Sequence, residues 1–184
     1  MTAPDRQDTF SSQRLTLSYA EWGSPSAPPL VLVHGGRDQK RSWDCVAARL
    51  AKTYRVIAFD LRGHGQSDWV SDGDYGVMDH VYDLTSLADM LELERFVLLG
   101  HSLGGNITLR FAGLFPDRIE KLIAIEGLGP SPKMLVERQS QPLTERLNNW
   151  IEQRRSLSDR GPRVMEDLAE RSEERRVGKE CRSR

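Results

Sequence analysis

The sequence predicts an α/β fold, a mostly parallel sheet with helices on both faces, and three observations carry that prediction. Continuous aliphatic runs stand at 30–33 (LVLV), 56–59 (VIAF), 96–99 (FVLL) and 122–125 (LIAI). Unbroken runs of this kind suit strands covered on both faces, whereas a sheet with one wet face would alternate polar and apolar residues. Between the runs apolar residues recur at helical spacing, and the resulting strand–helix alternation is the order of βαβ units.

The elements follow in chain order. Residues 9–12 and 15–21 alternate in part and read as antiparallel edge strands, closed by Gly23, Ser24 and Pro25. A proline-rich turn at 25–29 leads into the first aliphatic run. Trp43, Val46, Ala47 and Leu50 line one face of a first helix, and Val81, Leu84, Leu87, Ala88 and Leu91 one face of a second. A third carries Leu103, Ile107, Phe111 and Leu114 and is stopped by Pro116, whose ring cannot continue a helix. Beyond Ile125 the chain turns to Gly127, Gly129, Pro130 and Pro132. A charged amphipathic stretch with Leu143, Leu147, Trp150 and Ile151 on one face comes next, and a further helical pattern begins around Val164, Met165 and Leu168.

Composition narrows the function classes. Of 184 residues, 38% are hydrophobic and 29% charged, which allows a sizeable core and excludes a disordered or membrane-spanning chain. Twenty-six basic residues against 27 acidic give a net charge of -1, so no overall field steers nucleic acid or an anionic membrane, and neither is expected as a partner. Cys45 and Cys181 are too few and too distant for a disulfide framework or a four-ligand zinc site, and no metal is expected. Residues 1–10 are polar and mixed in charge, and no segment approaches about 18 consecutive apolar residues. The chain reads as soluble and cytoplasmic.

Residues 171–184, RSEERRVGKECRSR, have no apolar period. They read as a solvated basic tail, and they also resemble the translation of a DNA sequencing-library adapter, in which AGATCGGAAGAG encodes Arg171, Ser172, Glu173 and Glu174. On that reading the tail is non-native. Six basic and three acidic residues lie in it, so the first 170 residues hold 20 basic against 24 acidic, a net charge of -4.

The chemistry centres on Gly100-His101-Ser102-Leu103-Gly104, placed directly after a strand and before a helix. This is the context of a nucleophile elbow: a sharp turn lifts the Ser102 hydroxyl clear of the sheet, and glycines at 100 and 104 remove side chains that would collide with neighbouring backbone. Two more blocks stand at the ends of earlier runs, Leu32-Val33-His34-Gly35-Gly36 and Asp60-Leu61-Arg62-Gly63-His64-Gly65-Gln66-Ser67. With all three in order, the chain from Thr9 to about Glu170 resembles the α/β-hydrolase fold superfamily, in its class with a helical cap.

The resemblance implies an α/β-hydrolase core over 1–129, the beginning of the cap over 130–170, and about six of the family's eight strands. It also implies Ser102 as nucleophile, with the backbone N–H groups of Gly36 and Leu103 as oxyanion donors, each such donor being worth about 3 kcal/mol in the transition state. No cofactor is implied. His34, His64 and His101 sit in glycine-rich turns where their rings can bond local backbone, His80 is expected at the surface, and Asp60 is expected to support its loop through hydrogen bonds.

The triad order in this family is serine, acid, histidine, and none of the 83 residues after His101 is a histidine. Glu126, at the end of the last aliphatic run, is the candidate acid, against the alternatives of a cap-hinge carboxylate or a solvated strand end. The expected activity is acyl transfer by a serine hydrolase on a small-molecule substrate, an ester-like or otherwise activated carbonyl. Esterase, lactonase, carbon–carbon hydrolase and cofactor-free haloperoxidase chemistry all stay open. The polypeptide as written is expected to be nearly inactive for want of a base. The alternative is a non-catalytic binding protein on a shortened scaffold of the same kind.

Overall fold

The structure, a computed structural model, describes residues 3–71, 73 and 75–158. It divides into two units, 1–129 and 130–184. The first holds β1 (Arg6–Ser12), β2 (Leu15–Trp22), β3 (Pro29–Val33), α1 (Asp44–Leu50), β4 (Arg55–Phe59), α2 (Val77–Met90), β5 (Phe96–His101), α3 (Leu103–Leu114) and β6 (Ile119–Ile125). The strands form one sheet in the order β1-β2-β4-β3-β5-β6. β1, β2 and β4 pair antiparallel, and β4, β3, β5 and β6 run parallel.

The aliphatic runs are continuous because each strand feeds two cores. Leu30 and Leu32 pack with Val56, Ala58 and Ala47 on the α1 side. Val31 and Val33 pack on the other side with Ile57, Phe59 and the α2 and α3 residues Leu84, Leu87, Ile107 and Phe111. Period-2 geometry thus assigns alternate residues of one hydrophobic run to opposite faces.

The first strand begins at Arg6, three residues earlier than the sequence pattern indicates. Arg6, Gln7 and Asp8 are exposed and show no alternation, but they pair with Glu21, Ala20 and Tyr19 of β2; backbone pairing makes this polar edge a strand. His80 also departs from expectation. It is buried, at 2% exposure, because it precedes Leu84 by four residues and Leu87 by seven and so lies on the inward face of α2.

The second unit contributes α4 (Pro132–Ser140) and α5 (Leu143–Ser158). Ser131 caps α4, its hydroxyl accepting the Met134 N–H at 3.3 Å, with Pro132 in the first turn where a missing N–H costs nothing. Leu143, Leu147, Trp150 and Ile151, the apolar face read from the sequence, all lie in α5, and α4 is a further helix before it. Val164, Met165, Leu168 and the tail at 171–184 lie outside the described residues. Among the described residues no helix is long and apolar enough to cross a membrane.

Candidate active site

The connection leaving β3 passes through α1 to β4 on one side, while that leaving β5 passes through α3 to β6 on the other. β3 and β5 are neighbours, so their connections part above their carboxyl ends. A switch of this kind opens the crevice where α/β sheets bind ligands. Gly35 and Gly36 follow β3, and Ser102 follows β5.

Ser102 has φ 53 and ψ -113, a conformation that a residue with a Cβ adopts only when its surroundings impose it. The surroundings are visible. The Ser102 N–H donates to Ile125 O at 2.9 Å, and the Ser102 carbonyl accepts the Asn106 N–H at 3.1 Å to begin α3. A Cβ on Gly100 would run into Gly104 O, and one on Gly104 into Val33 O. The glycines therefore let β5, α3 and the end of β3 approach at backbone distance.

The loop after β3 lies against this elbow. A Cβ on Gly35 would sit 3.1 Å from His101 Nδ1 and 3.3 Å from Ser102 Cβ, and one on Gly36 would sit 3.8 Å from Leu103 Cδ2. Gly35, Gly36, His101, Ser102 and Leu103 are thus brought together. Glu126 joins them through its backbone. It has φ 64, and its carbonyl lies where a Cβ on Gly105 would reach; Gly127 O accepts from Asn106 Nδ2 at 3.1 Å. The Glu126 side chain is exposed.

Around this centre the other motif residues act on backbone and loops. His34 Nδ1 lies 2.7 Å from Gly35 O while Nε2 accepts the Leu61 N–H at 3.0 Å, and burial pushes its pKa below the ordinary histidine value. His64 bonds Arg62 O and the Arg37 N–H. Asp60 accepts from Lys40 N at 2.7 Å, Lys40 Nζ at 2.6 Å and Gln66 N at 2.9 Å, as its expected supporting role requires.

Two buried cations escaped the sequence reading. Lys40 is 1% exposed and pairs with Asp60. Arg62, fully buried, makes two 2.8 Å bonds to Asp83, which Ser12 Oγ also reaches at 2.6 Å. No local pattern marks a lysine or arginine as buried, since both belong at the surface by default. A groove of about 490 Å³ lies between Gln13, Arg14 and Leu15 and the segment from Asp68 to Ser71, and its lining does not include Ser102. Among the described residues no group of three His, Cys, Asp or Glu side chains is placed to hold a metal ion.

Residues 28–182 match the alpha/beta hydrolase fold family. The chain belongs to it. A 3-hydroxybutyrate-oligomer hydrolase of Cupriavidus necator is 37% identical over 116 residues, 62% of this chain and 39% of that protein. A serine hydrolase-like protein of Mus musculus is 34% identical over 106 residues, 57% of this chain and 34% of its own. In structure, a hypothetical protein of Pseudomonas aeruginosa superposes with a TM-score of 0.74 at 29% identity, covering 94% of this chain and 59% of that one. The chain spans 30% to 49% of the length of the curated relatives it matches.

Proposed function

We propose that Ser102 is the nucleophile of a serine hydrolase that acts by acyl transfer. The strained backbone of Ser102 at the β5–α3 turn, with the Gly35–Gly36 loop against it, is the observation that supports this reading. Ser102 Oγ attacks an ester-like or otherwise activated carbonyl, and the oxyanion rests on the N–H groups of Gly36 and Leu103. Leu103 is the first residue of α3, so its N–H has no carbonyl one turn back and the helix dipole favours negative charge beside it. Collapse of the tetrahedral intermediate expels the leaving group, and water then releases the acid.

The proton of Ser102 needs a base. His34 and His64 are engaged with backbone, and His80 is buried on the inward face of α2. In this family the base follows the nucleophile and the acid in the chain, and no histidine follows His101, so the base is proposed to come from the parent gene beyond residue 170, with Glu126 as the candidate acid. Without that base the 184-residue polypeptide retains only what binding and the oxyanion donors supply, about 10³- to 10⁴-fold over water in a triad that has lost its histidine.

The test is labelling by a fluorophosphonate of the protein produced with the downstream sequence of its gene, with Ser102→Ala as control. Labelling of the parent and none of the variant is expected. Equal labelling of both, or of neither, would discard the nucleophile assignment and turn the reading to a binding scaffold. Glu126→Gln in the same protein is expected to lower kcat by at least about tenfold; near-normal kcat would remove Glu126 from the triad.

A further inference from the structure

The peptide that follows Gly36 is held from another loop. Arg37 has φ 62, in the left-handed region that is disfavoured for any residue with a Cβ. Its N–H donates to His64 Nε2 at 3.2 Å, and His64 Nδ1 lies 3.0 Å from Arg62 O. A backbone N–H can only donate and a carbonyl can only accept, so these two partners require a neutral ring with its proton on Nδ1. The ring of His34 is held in the same sense, 5.3 Å away between centroids.

The turn that presents His64 is shaped for the purpose. Gly63 and Gly65 flank it at φ 73 and φ 53, and side chains there would collide with the Tyr75 ring and the Asp60 carboxylate respectively. Such a turn sets the direction of one side chain, and here that side chain meets the strained peptide beside the oxyanion glycine.

We propose that His64 is a positioning residue: as a neutral Nδ1–H ring it accepts the Arg37 N–H and holds the Gly36–Arg37 peptide in the left-handed turn that keeps the Gly36 amide beside the Ser102 elbow. Its consequence for catalysis rests on the serine hydrolase reading, while its geometry does not. Two measurements on the 184-residue chain are independent of activity. Long-range ¹H–¹⁵N correlation of the histidine-labelled chain at pH 8 is expected to show His64 Nε2 unprotonated; an Nε2–H tautomer, which cannot accept a hydrogen bond, overturns the proposal. Amide exchange at Arg37 is expected to quicken at least about tenfold in His64→Phe and to return within about threefold in His64→Gln, whose Oε1 can occupy the Nε2 position. An unchanged rate in His64→Phe also overturns it.

If His64→Phe does not fold, the tautomer in the unsubstituted chain still decides. In the protein with its downstream sequence, His64→Phe is expected to lower kcat about tenfold or more with KM within about twofold, and His64→Gln to restore it. Failure of the unsubstituted protein to label at Ser102 would remove the hydrolase reading alone, leaving the tautomer and exchange results to judge the positioning role.

Discussion

The two loops that meet at Ser102 are built by opposite means. The loop after β5 is closed by its own backbone: Ser102 N–H on Ile125 O, α3 beginning at Leu103, and glycines at 100 and 104 that admit neighbouring carbonyls. The loop after β3 is hung on side chains. His34 accepts from Leu61, His64 accepts from Arg37, and Lys40 reaches Asp60 and Gln66. The position of the nucleophile is therefore a property of a few consecutive residues, whereas the position of the proposed oxyanion donor depends on residues 60–66 and on buried charge.

The largest break in that comparison is at Lys40. Its ammonium is the cation paired with a carboxylate sealed from water. Lys40→Met leaves Asp60 buried and unpaired, and loss of one partner of a buried ion pair costs roughly 3–5 kcal/mol. Denaturant unfolding measures this. Adding Asp60→Asn to Lys40→Met is expected to recover part of the loss, since no charge is then buried there, while the single amide oxygen can accept only one of the two N–H groups, residue 40 N and Gln66 N, that Asp60 takes on separate oxygens. A single-variant cost under about 1 kcal/mol would mean that the pair does not hold the loop.

Acid should lower the stability of the fold next. His80 is buried, its Nδ1 has no hydrogen-bond partner among the described residues, and desolvation lowers its pKa to about 4, against the opposing pull of Asp83. The unfolded chain therefore takes up the proton first. Stability is complete above pH 6.5, falls as the pH drops from there toward 4, and levels off below; the loss amounts to about 3 kcal/mol. His34, also lowered by burial, acts in the same direction. Unfolding free energies across this range are expected to decline in the parent and less steeply in His80→Phe. Parallel slopes would assign the acid sensitivity to other groups.

The same division explains what the sequence made legible. Parallel strands, crossover helices and the elbow are written in neighbouring residues: LVLV and FVLL announce burial on both faces, and the spacing of Gly100, Ser102 and Gly104 is a statement about one turn. The Lys40–Asp60 and Arg62–Asp83 pairs join residues 20 and 21 apart through tertiary packing. Nothing near Lys40 distinguishes it from a solvated lysine. His80 could have been placed by helical phase, from Leu84 and Leu87, but its polarity argued for the surface. Arg6, Gln7 and Asp8 form strand only because β2 offers them partners.

The smallest expected effect is the sharpest test of the backbone-built loop. If the elbow stores strain at Ser102, glycine should relieve it, because glycine alone occupies φ 53 and ψ -113 without a Cβ clash. Strain of this kind costs about 1–3 kcal/mol, and glycine's extra freedom in the unfolded chain returns part of that, so Ser102→Gly is expected to stabilise the fold by about 1 kcal/mol. Ser102→Ala keeps the Cβ and should stay within about 0.5 kcal/mol of the parent. The pair of variants separates backbone strain from loss of the hydroxyl, which both share. A Ser102→Gly chain no more stable than Ser102→Ala would mean that the strain at this turn is no larger than the freedom glycine regains in the unfolded chain, about 0.5–1 kcal/mol. Greater stability in the glycine variant would show that the fold gives up stability to hold a hydroxyl at this position, a sacrifice that packing alone does not require.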